Sequence, residues 1–63
     1  MSLSKGDRVV ATRGLGGLIF DRVPEGTKGT ILAIKPSFWE TTYVVKWANG
    51  EVLEAPATSL HRL

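Results

Sequence analysis

Thr41-Thr42-Tyr43-Val44-Val45-Lys46-Trp47-Ala48-Asn49-Gly50-Glu51-Val52-Leu53-Glu54-Ala55 is the stretch that decides the fold. Tyr43, Val45 and Trp47 alternate with Val44 and Lys46, the period of a strand with one buried face. Asn49-Gly50 follows, a pair that readily takes the positive φ angles of a type I′ turn. Val52 and Leu53 then carry a second strand. The stretch reads as a β-hairpin with strands Thr41 to Trp47 and Glu51 to Ala55, Pro56 stopping the second.

The rest of the chain carries the same signature on both sides. Upstream, Asp7 to Arg13 reads as a first strand, with Val9 and Ala11 on one face and Arg8, Val10 and Thr12 on the other. Lys28 to Lys35 reads as a second strand. Its run Thr30-Ile31-Leu32-Ala33-Ile34 is almost continuously apolar, as in a fully buried strand or one with a bulge. Gly29 marks a place where backbones approach closely. Downstream, Ala57-Thr58-Ser59-Leu60 has room for one 3₁₀ turn, and His61-Arg62-Leu63 for a short last strand beside the first. The expected core is Val9, Ile31, Ile34, Tyr43, Val45, Trp47 and Leu60.

Between the first two strands lies a long loop, from Gly14 to about Thr27. Gly14, Gly16, Gly17, Pro24 and Gly26 exclude a central strand there. The loop is nonetheless apolar, with Leu15, Leu18, Ile19, Phe20 and Val23. Such a loop folds back on the body of the protein or meets a partner. A second loop, Pro36 to Glu40, carries the adjacent aromatics Phe38 and Trp39.

Size and composition bound what the chain can do. Its 63 residues make one domain, 1–63, too small to bury a large core. Apolar residues make up 43% and charged residues 22%, which is globular composition and not that of a disordered chain. There is no cysteine and one histidine, so a thiolate or multi-histidine metal site is excluded within one chain. No apolar run approaches the ~20 residues that span a bilayer, and the first residues lack the pattern of a signal peptide. The expected location is cytoplasmic, without membrane contact. Four lysines and four arginines against six acids give a formal charge of +2, a mild excess.

The order of elements resembles the SH3-like barrel over nearly the whole chain. The residues that carry the resemblance are Lys5-Gly6-Asp7-Arg8-Val9, Gly29-Thr30-Ile31, Tyr43 to Gly50, and Leu60-His61-Arg62-Leu63. It implies an all-β, five-stranded barrel with a long first loop and one 3₁₀ turn before the last strand. This superfold hosts unrelated functions, and the chain is similar to three of its families. Tudor-like chromatin readers would make Phe38, Trp39, Tyr43 and Trp47 rings of a cation-binding cage; the alternation with Val45 assigns Tyr43 and Trp47 to the core instead. Plasmid-type dihydrofolate reductases share the opening and Gly29-Thr30-Ile31. Their pore-lining Val-Gln-Ile-Tyr is matched here only by Val52-Leu53-Glu54-Ala55, which argues against reductase chemistry. Small accessory subunits of redox complexes, such as the variable chain of ferredoxin-thioredoxin reductase, share Gly6-Asp7-Arg8-Val9 and the long first loop, and bind partners without catalysis.

No constellation points to catalysis or to a cofactor. His61 and Ser59 lack an orienting acid, the acids are scattered, and Gly14-Leu15-Gly16-Gly17 lacks the Lys-Ser/Thr of a phosphate loop. The expected function is a non-catalytic protein-interaction or accessory module. It would use Leu15, Leu18, Ile19, Phe20, Phe38 and Trp39 on a protein partner or a second copy of itself. The alternative is a nucleic-acid-binding barrel using Arg8, Arg13, Lys35, Lys46 and Arg62, with Phe38 and Trp39 stacking on bases.

Overall fold

In a computed structural model, residues 3–63 are described and form one antiparallel sheet of five strands. The strands are β1 (Arg8–Ala11), β2 (Lys28–Lys35), β3 (Thr42–Trp47), β4 (Val52–Pro56) and β5 (Leu60–Arg62). A single 3₁₀ turn, Ala57–Ser59, leads into β5. The order across the sheet is β4-β3-β2-β1-β5. The expected pairing of the last strand with the first is therefore present, with Val10 opposite His61. The expected closure is not: β4 and β5 are the two edges and do not pair with each other.

The alternation read from the hairpin fixes the two faces of the sheet. Val9, Gly29 and Trp47 oppose one another across β1, β2 and β3, as do Ile31, Val45 and Leu53 across β2, β3 and β4. These rows point inward. Val9, Ala11, Val23, Ile31, Tyr43, Val45, Trp47, Ala55 and Leu60 form the core, with Leu3, Leu15 and Leu53 packed against it. Gly29 is required by this packing. A methyl group placed on it would lie 2.6 Å from Val45 Cγ1 and 2.8 Å from Trp47 Cε3, closer than carbon atoms approach.

Ile34 departs from expectation: it is 40% exposed. The register of β2 against β3 shifts between Ile31 and Ala33, so Leu32 is the extra residue of a bulge. The shift returns Ile34 to the side of its partner Tyr43. However, the backbone bonds from the β1 segment to β2 reach no farther than Ile31. Ile34 lies on the overhanging end of the β2–β3 ribbon, which β1 does not cover.

The hairpin turn also differs in detail. Gly50 has φ +93°, but no non-glycine residue among those described has positive φ, so Asn49 does not. The Gly50 amide donates to Trp47 O at 2.9 Å and the Trp47 amide to Glu51 O at 2.8 Å. This is a type I turn closed by a glycine bulge, not type I′. Asn49 works through its side chain: Oδ1 accepts from the Glu51 amide at 3.1 Å, and Nδ2 donates to Arg22 O at 2.8 Å. Pro56 is the last residue of β4, opposite Thr42, so the strand ends at it as expected but includes it, as an edge strand permits.

Candidate functional site

The long loop is built as a lobe with a fixed base and a bare tip. Leu15 and Val23 form an isolated antiparallel bridge, with the Leu15 amide donating to Val23 O at 2.8 Å and the Val23 amide to Leu15 O at 3.0 Å. Val23 is fully buried and Leu15 packs on the core, so the base of the lobe lies over the inner face. The Arg22–Glu51 ion pair and the Asn49 bond to Arg22 O tie it to the β3–β4 turn. Gly16 and Gly17, with φ of +69° and +74°, reverse the chain sharply. Beyond them stand Leu18, Ile19 and Phe20, exposed by 104%, 87% and 84%. Side chains so exposed touch almost nothing of their own protein.

Phe38 and Trp39 form a second apolar tip. The Glu40 amide donates to Ser37 Oγ at 3.0 Å and the Ser37 hydroxyl to Glu40 O, which closes the loop on itself. The two rings meet edge to face, with centroids 5.0 Å apart and planes at 79°, the arrangement aromatic quadrupoles favour. They are 91% and 88% exposed. The two tips are joined to opposite ends of β2, about 23 Å of strand apart.

Of the six residues expected at a partner surface, five are therefore presented to solvent, in two separate groups. Leu15 is not among them, because its bridge to Val23 makes it part of the lobe's base. The four rings considered for a cage do not come together: Tyr43 and Trp47 are in the core, as alternation implied. The indole Nε1 of Trp47 is buried without a hydrogen-bond partner.

The five expected nucleic-acid contacts are also divided. Lys35 Nζ lies 3.1 Å from Glu54 Oε2, and Arg62 Nε lies 3.7 Å from Asp7 Oδ2. Arg13 lies beyond the end of β1. Arg8 and Lys46, by contrast, share one row on the outer face, each directly opposite Thr30. Lys28 joins them from the neighbouring row, opposite Val10. Lys28 escaped sequence reasoning because only the cross-strand register places it beside Arg8 and Lys46.

Among the described residues, no group of three or more His, Asp or Glu side chains is placed to hold a metal ion. Ser59 is buried and His61 exposed. Among the described residues, no helix is long and apolar enough to cross a membrane. No protein-family model matches the chain, and neither the curated proteins nor the solved structures searched contain a match to it.

Proposed function

We propose that this chain is a non-catalytic interaction module of the SH3-like kind, docking on a protein partner through the Leu18-Ile19-Phe20 tip, with Phe38 and Trp39 as a second contact. The observation that carries this reading is the contrast within the long loop. Its base is buried and tied down by hydrogen bonds, while three of its four largest apolar side chains, Leu18, Ile19 and Phe20, are 84–104% exposed. A loop that served only to cover the core would turn these side chains inward. Large exposed apolar groups on a fixed support are characteristic of interaction sites.

Magnitudes indicate why two contacts are useful. Burying a Leu, Ile or Phe side chain contributes about 1.5–3 kcal/mol, so the tip offers roughly 5–9 kcal/mol gross. Losing translational and rotational freedom on association costs about 4–15 kcal/mol. The tip alone therefore supports weak binding, and the Phe38–Trp39 pair adds a comparable anchor.

The test pairs thermal melts with sedimentation and partner capture from the native host, for wild type, Phe20→Ser and Trp39→Ser. Both variants should melt within about 0.5 kcal/mol of wild type, as surface substitutions do. The complex captured by wild type, or its self-association, should weaken. Unfolding of both variants with no change in association would mean that these side chains support the fold, and the proposal fails.

A further inference from the structure

Beyond the apolar tips, the outer face of the sheet carries a group of cations that folding does not account for. Arg8, Thr30 and Lys46 stand directly opposite one another on β1, β2 and β3. With strands ~4.8 Å apart, Arg8 and Lys46 flank Thr30 at a mutual separation of roughly 10 Å. Lys28 lies two residues from Thr30 on the same face, ~7 Å along β2, and its partner Val10 is followed across the sheet by His61. All three cations are exposed, and none is ion-paired among the described residues. Among the described residues the only acid in a strand is Glu54, which lies on this face in β4, two residues from Val52, the partner of Lys46, and is engaged by Lys35.

We propose that Arg8, Lys28 and Lys46 form a phosphate-binding face for a nucleic-acid duplex, contacting its backbone without reading its sequence. The charge is complementary: a duplex presents one negative charge per ~1.7 Å of axis, so cations ~7–10 Å apart each find a phosphate. Thr30 adds a hydroxyl donor between them. Apart from the His61 imidazole at its β5 edge, the face carries no aromatic ring, so it lacks the Phe, Tyr or Trp stacking platform that single strands use and suits a duplex backbone. An anionic membrane fits less well. Val23 and Leu15 root the long loop on the inner face, so the cations and the apolar lobe lie on opposite sides of the sheet. A bilayer could not engage both.

The test is fluorescence anisotropy of a labelled DNA duplex of about 20 base pairs, titrated with the full chain between about 50 and 200 mM salt. Three phosphate contacts predict a slope of about −2.7 in log K against log salt, an affinity loss of ~40-fold over that range. Arg8→Gln, Lys28→Gln or Lys46→Gln should each lower the slope by about 0.9, and the triple variant should abolish binding. A control that removes the same charge elsewhere, Lys5→Gln with Arg13→Gln and Lys35→Gln, should bind within about threefold of wild type at fixed salt. Thermal melts of both triple variants establish that they are folded. The proposal is overturned if the duplex does not bind at low salt, or if binding ignores salt. It is also overturned if both triple variants lose affinity equally, or if phosphatidylserine-rich vesicles bind while the duplex does not.

Discussion

Replacing Gly29 with alanine tests the packing of the whole inner face with a single methyl group. Gly29 sits in β2 opposite Trp47, and its φ lies outside the left-handed region. Alanine therefore meets no backbone penalty there, and the expected effect is purely steric. The added Cβ would lie 2.6 Å from Val45 Cγ1, 2.8 Å from Trp47 Cε3 and 3.0 Å from Lys46 O. Two of these neighbours are fully buried core side chains and the third is backbone of the adjacent strand, so none yields without disturbing the core. Overpacking of this kind costs about 1–3 kcal/mol. Alanine also restricts the unfolded chain, which offsets about 0.4–1 kcal/mol. The net expectation is a destabilisation of roughly 1–2 kcal/mol.

In a domain this small, each kcal/mol shifts the melting temperature by about 4–8 °C, so the midpoint should fall by roughly 5–15 °C. Urea titration monitored by tryptophan fluorescence provides a second measure, with an unchanged slope if the fold is retained. A double-mutant cycle with Trp47→Leu assigns the clash. Removing the ring should relieve part of the Gly29→Ala cost, giving a coupling of about 0.5–3 kcal/mol. A Gly29→Ala protein as stable as wild type would refute the argument, because the indole could not then lie against this glycine.

Two further substitutions test the elements on either side. Ile31→Ala removes a 1%-exposed side chain and should cost about 2–5 kcal/mol; an unchanged melt would place β2 in another register. Gly50→Val forces a β-branched residue to φ +93° where there is otherwise open space, so the cost is the backbone term alone, about 1–2 kcal/mol. A neutral melt for Gly50→Val would show that the turn can re-form without a left-handed residue.

The hairpin was legible in the sequence because alternation and a turn signal coincided there. Tyr43, Val45 and Trp47 are buried on one side, and the chain reverses at Gly50. Where one signal was missing, the reading failed in a definable way. Thr30 to Ile34 is apolar at nearly every position, so no period reveals where a bulge falls, and the exposure of Ile34 depends on how far β1 extends. Asn49-Gly50 specifies a reversal, but the type I turn arises from the three-residue connection and from the pull of Arg22 O on the Asn49 side chain. In the long loop, Leu15 and Val23 resemble Leu18, Ile19 and Phe20 in chemistry. What separates them is a backbone bridge, which composition does not encode. Barrel closure failed for a similar reason, since strand count and order do not say whether the two edges meet.

What folding requires of this sheet and what its surface carries are different things. The inner face needs apolar side chains of limited volume, and β1 to β5, with Val23 from the lobe, supply them. The outer face is covered by no second layer, so it needs polarity to stay solvated, but polarity of either sign would serve. Asp, Glu, Gln or Thr at positions 8, 28 and 46 would keep a single sheet soluble as well as Arg and Lys do. Yet five of the chain's eight cations lie in strands, at 8, 28, 35, 46 and 62, against one of its six acids, Glu54. The sequence thus concentrates positive charge on the sheet and leaves the acids to its loops and turns. Lys35 and Arg62 are matched by acids within reach. The charge left over, at Arg8, Lys28 and Lys46, is gathered around Thr30. Solubility alone explains charge on this face, but it does not explain why the charge left unpaired is of one sign and grouped.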